Sequence, residues 1–543
     1  METIITKETV ARAVEAAIGR CACQLRPDML RALEEARAGA GSPREGRVLD
    51  TLRENAAIAA GDRVPLCQDT GTVWVCLEVG QQLTVPGNVF SLVDSAVARA
   101  YEGGRLRMSV LRDALFNRTN TADNTPAFCE LKLVPGASAK VHVLLKGGGS
   151  DNASRVVMLP PGAGQEGVRR VVLDCVREKA ANACPPLVVG VGVGATFDKV
   201  AGLAKHALLR EAGSEAPRPE AAAFEKSLLE EVNALGIGPA ALGGSPTAVA
   251  VHLETAPCHI AALPVAVNMG CSAMRSASVM LVEDGRALTD AEVAAQLEAA
   301  FAAGAAPTET ACCTLAPAAS AAPSGDEADA SIAGRADVAS ETGAISASPA
   351  DAAAEEGAAP RRLQLPLSKE DLASLSAGDE VLLSGPVYTM RDAGHSRALA
   401  HLEETGRLPF GLEGQTLFYA GPTPAAAGRP LGSVGPTTAS RMDFATPALM
   451  EAGIVASIGK GKRAPEVTDA CKATGGVYFC TIGGAAALLA KHVTKSELIG
   501  WEDLSTEALR RLELEDFPAF VATDPHGRDL YREVEGDETK GRT

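Results

Sequence analysis

The sequence has few aromatic residues and no long apolar run. Aromatic side chains make up 3% of the 543 residues, whereas hydrophobic residues of all kinds make up 46%. The interior must therefore be built from Ala, Val and Leu, as in sheets flanked by helices. No stretch approaches the roughly 20 consecutive apolar residues of a membrane span. The first twenty residues also lack the basic start and apolar segment of a secretory signal, which predicts a cytoplasmic protein without a membrane partner.

An excess of positive charge is also absent. The formal net charge is −17, and no cluster of basic residues marks a surface for nucleic acid, which needs such a cluster to bind phosphates. The composition therefore argues against a nucleic-acid partner. An anionic substrate would instead need a local pocket in which a few Arg and Lys side chains outweigh the overall negative field.

Closely spaced cysteine pairs of the CxxC type do not occur, although the chain holds 13 cysteines. In a reducing compartment such cysteines are more often buried, metal-binding or catalytic than disulfide-bonded. Cys67, Cys184 and Cys271 stand among polar, proline or glycine residues rather than inside apolar runs. Three thiolates that met in one pocket would suit an iron–sulfur cluster with one iron left open, although spacing alone does not show that they meet.

The sequence between residues 304 and 360 is rich in Ala, Ser, Asp and Glu and contains no aromatic residue. Such a composition cannot bury enough apolar surface to order itself. We therefore predict two modules, residues 1–303 and 361–543, joined by an acidic flexible linker over residues 304–360. Both modules fall within the usual size range of domains.

Both modules contain helical and strand-like patterns, which predicts α/β or α+β modules. The predicted helices cover residues 8–19, 27–38, 45–60 and 483–493, and the predicted strands cover residues 73–79, 139–147, 186–195 and 379–390. Several of these strands end in glycine, and glycine loops at strand ends often form sites.

Several short segments, in order along the chain, resemble one enzyme family. The segments LCQDTGT, KGGGSDN, CPPLVVGVGVG and HIAALPVAVNMGCSA resemble the larger unit of class I fumarases and the related tartrate dehydratases. The segments SGPVYTMRDAGHSR, GPTTASRMD and IGKGKR resemble the smaller unit. The resemblance covers nearly the whole chain except the linker, and it implies that both units are fused in one chain.

The resemblance implies a fold, a cofactor and an oligomeric state. The fold would be α/β, with a larger N-terminal α/β domain followed by a smaller C-terminal swivelling β/β/α domain, and homodimers are common in the family. The cofactor would be a [4Fe-4S] cluster held by Cys67, Cys184 and Cys271. Cys258 and Cys471 are rival cysteines, but neither lies where the family places a ligand, and we interpret both as structural.

A dianionic substrate calls for separated cationic anchors, and the planar fork of Arg suits carboxylates well. The resemblance assigns this role to Arg107, Arg391, Arg441 and Lys460. Arg105 is a close alternative to Arg107. Lys462 is a weaker alternative to Lys460, because the family pattern places its lysine immediately before a glycine.

Proton transfer is assigned to two residues by the same resemblance. Asp69 would assist the loss of water as an acid, and its environment would decide whether it carries a proton near neutral pH. Thr437 would remove the proton from C3 of malate, which needs nearby cations because a threonine hydroxyl is a weak base. Thr438 is an alternative, but Thr437 lies four residues before Arg441, as in the family motif.

Three further residues complete the predicted substrate site. Gln68 directly follows the first cysteine and would hold its amide beside the open iron. Gly149 would let a carboxylate approach backbone amides closely. His259 would hydrogen-bond to the substrate or to Asp69, again by resemblance.

The predicted function is reversible hydration of fumarate to L-malate, with a small C4 dicarboxylate as the substrate. L-tartrate dehydratase and mesaconate hydratase are alternatives, since an altered C4 skeleton needs only a modest change of pocket. A different class of function is an iron–sulfur redox sensor, which would not need acid, base and carboxylate anchors together. A third interpretation gives the cysteines a structural zinc ion.

Overall fold

A computed structural model describes residues 5–302 and 359–536 of the chain. These two ranges form one compact unit. Almost all of the predicted linker lies outside the described residues, so its flexibility and the division into modules stay predictions. None of the helices within these ranges has the length and apolar character needed to cross a membrane.

The first range contains nine helices and nine strands, whose order places two sheets among flanking helices. In chain order they are α1 (Lys7–Cys23), α2 (Pro27–Ala38), α3 (Pro43–Asp62), β1 (Thr72–Gly80), α4 (Val93–Gly103), β2 (Phe128–Val134), β3 (Ala139–Lys146), α5 (Gly148–Asn152), β4 (Arg155–Leu159), α6 (Gly164–Ala183), β5 (Leu187–Ala195), α7 (Phe197–Ala207), α8 (Pro219–Ala234), β6 (Ala248–Cys258), β7 (Leu263–Gly270), β8 (Arg275–Glu283), β9 (Arg286–Ala287) and α9 (Asp290–Ala302).

The second range builds a single larger sheet with short helices. Its elements are β10 (Arg361–Gln364), α10 (Lys369–Ala373), β11 (Glu380–Thr389), α11 (Asp392–Thr405), β12 (Thr416–Phe418), α12 (Thr446–Glu451), β13 (Ala456–Gly459), α13 (Pro465–Thr474), β14 (Val477–Cys480), α14 (Ala486–Leu489), β15 (Val493–Gly500), β16 (Leu509–Thr523) and α15 (Leu530–Glu535). The described chain is therefore a mixed α/β structure.

Three sheets organise these strands. The first has the order β2-β1-β3-β8-β9, the second β4-β7-β5-β6, and the third β10-β11-β12-β13-β14-β16-β15. In β1 the residues Val73, Val75, Leu77 and Val79 are buried in the same apolar core as parts of α1 and α4. A second, larger core joins residues of both described ranges, such as Val188 and Leu417.

Local sequence explains where several helices begin. Ser42 and Glu45 form a capping box at the start of α3, in which each side chain accepts a backbone N–H of the other, and Pro43 occupies the first turn.

The predicted helix over residues 27–38 is confirmed as α2, and the one over residues 45–60 is confirmed within α3. The predicted helix over residues 483–493 is only partly helical, since α14 is followed by a short 3-10 turn at Ala490–His492.

The glycines of β5 allow a helix to pack directly against a strand. A Cβ atom on Gly190 would lie 2.2 Å from the carbonyl oxygen of Ala204, and one on Gly192 would lie 2.4 Å from that of Val200. Both oxygens belong to the backbone of α7, so neither can move aside easily. The alternating glycines therefore fix the distance between α7 and the second sheet.

We expect Gly192→Ala to destabilise the fold, because its new methyl group would overlap the Val200 carbonyl. Overpacking of this kind costs about 1–3 kcal/mol in the free energy of unfolding. The matched control is Gly202→Ala on α7, where a Cβ would meet no atom within 4 Å, and which should leave the free energy unchanged or raise it. Urea unfolding of both variants measures the difference, and equal stabilities would contradict the packing argument.

Candidate active site

Three cysteines meet at one cavity, although they lie far apart in the sequence. Cys67 lies in the loop between α3 and β1, Cys184 lies between α6 and β5, and Cys271 follows β7 directly. All three line the same cavity. The backbone N–H of Ser272 donates to the carbonyl oxygen of Cys184 at 3.0 Å, which ties two of the three cysteine segments together.

A half-buried lysine lies against one of the thiols. Lys460 Nζ donates to Cys184 Sγ at 2.5 Å. Burial raises the pKa of the Cys184 thiol to about 11, although Lys460 opposes this shift. Burial disfavours the charge on Lys460 in turn, but the nearby sulfurs of Cys184, Cys67 and Cys271 outweigh it and raise its pKa to about 12. The positive charge of Lys460 and negative charge on the cysteine sulfurs therefore stabilise each other.

All the predicted site residues except His259 line this cavity, and they come from both described ranges. The residues are Cys67, Gln68, Asp69, Arg107, Gly149, Cys184, Cys271, Arg391, Thr437, Arg441 and Lys460. The chain thus brings together, from positions up to several hundred residues apart, nearly the whole set that the resemblance implied.

Asp69 lies between a guanidinium and a backbone amide. Its Oδ1 is 3.0 Å from Arg107 Nη2, and its Oδ2 accepts the N–H of Gly148 at 2.8 Å. Burial disfavours the charged carboxylate, but Arg107, Arg275 and Arg391 outweigh it and hold the pKa of Asp69 below its ordinary value. Without a ligand, Asp69 is therefore ionised near neutral pH.

The structure distinguishes Arg107, the predicted anchor, from its alternative Arg105. Arg107 is buried, pairs with Asp69 and donates from Nη1 to the carbonyl oxygen of Gly421 at 3.0 Å. Arg105 is exposed and does not line the cavity. Arg107, and not Arg105, is therefore the arginine that can contact a ligand in the cavity.

Two further arginines extend the positive end of the cavity. Arg391 is buried at the start of α11, where its Nη2 lies 3.3 Å from Glu507 Oε1. Burial together with repulsion from Arg107 and Arg441 lowers the pKa of Arg391 to about 10, against the attraction of Glu507. Arg441 is partly exposed and pairs with Asp392. These cations repel one another, which makes the cavity receptive to an anion.

The turn that carries the two threonines lies beside Lys460. The N–H of Thr437 donates to the carbonyl oxygen of Tyr419 at 2.6 Å, and the N–H of Lys460 donates to that of Thr437 at 3.2 Å. A Cβ atom on Gly149 would lie 3.3 Å from Lys460 Nζ and 3.7 Å from Thr438 Oγ1. Both threonines line the cavity, so the choice of Thr437 over Thr438 stays a prediction.

The structure does not bring His259 to the cavity. Cys184 precedes the first residue of β5, whereas His259 follows the last residue of β6, which runs parallel to β5 with Ala195 paired to Cys258. A strand of nine residues, at roughly 3.3 Å per residue, spans about 30 Å. His259 is exposed, and its Nδ1 accepts the N–H of Ala261 at 3.1 Å. The expectation that His259 hydrogen-bonds to Asp69 of the same chain is therefore wrong, because the length of β5 separates His259 from the cavity.

The rival residues lie elsewhere. Cys258 is exposed beside His259, and Cys471 is buried in a small apolar cluster on α13. Lys462 forms an ion pair with Glu535 and does not line the cavity.

Sequence reasoning missed Arg275, which lies deep in the cavity wall. It is among the largest fully buried side chains, at 2% exposure, and neither its Nε nor its Nη1 has a hydrogen-bond partner among the described residues. Its charge interacts with Cys67, Cys271 and Asp69. The available signal was its position four residues after Cys271 in GCSAMR.

Asn55 is a second residue that sequence reasoning missed. It is 1% exposed on α3, and its Nδ2 donates to the carbonyl oxygens of Leu66 and Gly484 at 3.1 and 2.9 Å. Its Oδ1 accepts the N–H groups of Ala487 and Leu488. One amide thus ties the loop that carries Cys67 to the second half of the chain.

The residues of the cavity fit an iron–sulfur cluster better than a single ion. In the described ranges, the three sulfurs do not all fall within 4.8 Å of one another, the spread over which ligand atoms could share one ion. They nevertheless interact with one another electrostatically. The unpartnered N–H groups of Arg275 and the ammonium of Lys460 are the groups that an anionic, thiolate-held cluster would satisfy.

Comparison with known proteins supports the same family. A family profile described as fumarate hydratase (fumerase) matches residues 11–280, and one described as fumarase C-terminus matches residues 336–534. Fumarate hydratase 2 of Leishmania major is 29% identical over 522 residues, which cover 92% of this chain and 82% of that protein.

Two other relatives cover the chain differently. The anaerobic class I fumarate hydratase of Escherichia coli is 29% identical over 499 residues, or 88% of this chain and 81% of that protein. A putative L(+)-tartrate dehydratase subunit alpha of Methanocaldococcus jannaschii is 37% identical over 262 residues, or 47% of this chain and 92% of that subunit. By these matches the chain is an enzyme of the hydro-lyase class. It belongs to the class I fumarate hydratase family, with the regions of the alpha and beta units fused in one chain.

We expect Asn55→Ala to lower the free energy of unfolding by about 3 kcal/mol or more, because it leaves several buried backbone groups unpaired. Asn88→Ala is the control, since Asn88 accepts only one N–H in an exposed turn and its loss should cost less than about 0.5 kcal/mol. Urea denaturation measures both. A small loss for Asn55→Ala would show that the described halves do not depend on this amide.

Proposed function

We propose that this protein is a fumarate hydratase that interconverts fumarate and L-malate with a [4Fe-4S] cluster held by Cys67, Cys184 and Cys271. The observation that carries the proposal is the cavity itself. It combines three thiols with Arg107, Arg391, Arg441 and Lys460, and it lies where the two described ranges meet. A small dianion next to an anionic cluster is the ligand that such a set of charges favours.

The cluster, when bound, supplies one iron without a protein ligand, which acts as a Lewis acid toward oxygen atoms of the substrate. Lys460 and Arg275 are the side chains placed to balance its negative charge.

The arginines bind and orient the substrate. Burial together with repulsion from Arg107 and Arg441 lowers the pKa of Arg391, so a dicarboxylate that paired with these cations would relieve this repulsion. Arg107 is fixed by Asp69 and the Gly421 carbonyl, and Arg391 by Glu507. Prior fixing of these side chains lowers the entropy lost when the carboxylates bind.

Two residues handle the protons. In hydration, a water oxygen forms a bond to C2 as the C2=C3 π bond breaks, one water proton passes to the ionised Asp69 carboxylate, and C3 receives a proton from the Thr437 hydroxyl. A proton then passes from Asp69 through solvent to the Thr437 oxygen, which restores both groups for the next turnover. In dehydration the same residues act in reverse, so that Thr437 takes the proton from C3 and Asp69 returns one to the departing hydroxide. Lys460 and Arg441 line the same cavity as Thr437 and are the cations that would stabilise negative charge on the threonine oxygen.

L-tartrate dehydration is the second candidate. The higher identity to a putative tartrate dehydratase alpha subunit, 37% against 29%, favours it, although that match is confined to 47% of this chain. The residues named above would serve either substrate, because both are C4 dicarboxylates with a hydroxyl group at C2.

Anaerobic hydration of fumarate by the iron- and sulfide-reconstituted protein tests the proposal, followed by the loss of absorbance of the double bond. We expect turnover by the wild type and a loss of at least about 100-fold in Cys184→Ser, which removes a ligand. Cys258→Ser is the matched control, because this rival cysteine lies outside the cavity and its variant should keep both cluster and activity.

The other outcomes are also informative. Turnover of L-tartrate without turnover of fumarate would move the assignment to tartrate dehydratase. A fully active protein that lacks the visible absorbance of a cluster would overturn the assignment of the cofactor.

Removal of Arg275 should have different effects with and without the cluster. The Arg275→Met variant removes a buried cation whose Nε and Nη1 are unpartnered, so the apo-protein should keep or gain stability. The reconstituted cluster should decay at least about threefold faster in air, because it loses a compensating charge.

Thermal unfolding of the apo-protein and the decay of cluster absorbance measure the two effects separately. Arg286→Met, at an exposed arginine of β9, is the control and should change neither quantity. A destabilised apo-protein with a normally long-lived cluster would show that Arg275 has only a structural role.

A further inference from the structure

A row of metal-binding side chains crosses the first sheet outside the active-site cavity. Cys76 lies in the middle of β1, and its partners in register are Glu130 on β2 and His142 on β3. Residues paired in register project from the same face of a sheet. This face is opposite to the apolar one that contacts α1 and α4, where Val75 and Leu77 are buried. Glu130, Cys76 and His142 therefore stand side by side.

A fourth side chain reaches this row from the second sheet's helix. His206 lies near the end of α7, and its Nε2 contacts Glu130 Oε1 at 2.5 Å. Its ring also meets the ring of Trp74 edge-on, with the centroids 5.2 Å apart. Since α7 packs against the glycines of β5 in the second sheet, the contact of His206 with Glu130 links the second sheet to the first.

The ligand atoms of Cys76, Glu130 and His206 all lie within 4.8 Å of one another. A sulfur, an imidazole nitrogen and a carboxylate oxygen are the three ligand types of zinc sites. Tetrahedral coordination at roughly 2.0–2.3 Å places ligand atoms about 3.5 Å apart. Binding of an ion would therefore require Glu130 and His206 to part by about 1 Å, a small side-chain movement.

A simple ion pair between Glu130 and His206 does not explain the whole arrangement. The Cys76 thiol is fully buried and lies against the same carboxylate. Cys76 and Glu130 are also hydrogen-bonded to each other, so the sulfur, the carboxylate and the imidazole are already in mutual contact. A divalent ion would take the place of the thiol proton and of the hydrogen bond between Glu130 and His206.

His142 gives a second, independent indication of a ligand. It is 7% exposed, and its Nδ1 is 2.7 Å from Ser278 Oγ. Its Nε2 has no hydrogen-bond partner in the described part of the chain and lies 3.5 Å from Glu78 Oε2. His142, Glu78 and His206 line one open cavity, so solvent or a fourth ligand can reach the row.

We propose that Cys76, Glu130 and His206 bind a thiophilic divalent cation, best matched by Zn²⁺, separately from the active-site cluster. The ion ties the edge strand β2 and the helix α7 to β1, and so joins the first sheet to the second. His142 stands on the open side of the site, where a water molecule completes the coordination.

The test is the zinc content of the tag-free holoenzyme. Reconstitution with iron and sulfide first fills the three cluster cysteines, after which Zn²⁺ is added, excess ion is removed, and zinc and iron are measured by mass spectrometry. We expect about one zinc ion per chain in the wild type. Cys76→Ser and His206→Ala should each lose at least about 90% of it, with the iron content unchanged.

Cys129→Ser is the matched control, because Cys129 precedes Glu130 on β2, is exposed and projects to the other face. This variant should keep its zinc. Because Cys76 is buried and its variant can misfold, the partly exposed His206 gives the decisive variant, with unfolding temperature as the second readout. Zn²⁺ should raise this temperature in the wild type and in Cys129→Ser, but not in His206→Ala. Absence of zinc from the wild type, or equal zinc in the wild type and His206→Ala, would overturn the proposal.

Discussion

Mutual repulsion between cations that share one cavity is the constraint on which the rest of the active site depends. Five arginines and two lysines line the cavity, several of them buried, and burial of a charge costs several kcal/mol unless it is paired. Asp69 pairs with Arg107, and Glu507 pairs with Arg391. Lys460 finds its partner in a cysteine sulfur instead. The acidic partners fix the arginines without fully neutralising them, which leaves positive charge for a dianion.

The fold satisfies this constraint because each of the charged residues adjoins a different helix or strand. Arg107 follows α4, Arg391 begins α11, and Lys460 follows β13, so that no local segment carries the repulsion by itself. Contacts such as that of Arg107 with the Gly421 carbonyl cross between the described ranges. The compact union of the two ranges is therefore a condition for the site as well as for the core.

Sequence predicted the elements best where local signals were strong. The predicted strand over residues 139–147 appears as β3, and that over residues 186–195 appears as β5, each within one residue, because an apolar run before Gly147 defines the first and valines that alternate with glycines define the second. The same patterns could not predict how charges pair. The choice between Arg105 and Arg107 needed the backbone turn that buries one and exposes the other.

The failures have physical causes of the same kind. His259 precedes, in one motif, a segment that leads to Cys271, but the intervening strand β7 carries the chain to the opposite end of the sheet. Neighbours in a motif are therefore not neighbours in space when a strand separates them. Arg275 escaped notice because a buried guanidinium and a surface one look alike in a sequence, and only the lack of partners distinguishes them.

The amide of Asn55 has a consequence for biosynthesis. Two of the backbone N–H groups that it accepts lie 432 and 433 residues further along the chain. The loop that carries Cys67 can bond early to Ala22 through the N–H of Leu66, but its tie through Asn55 to Ala487 and Leu488 forms only when most of the polypeptide has left the ribosome. The nascent N-terminal half therefore presents a ligand loop that lacks part of its final support.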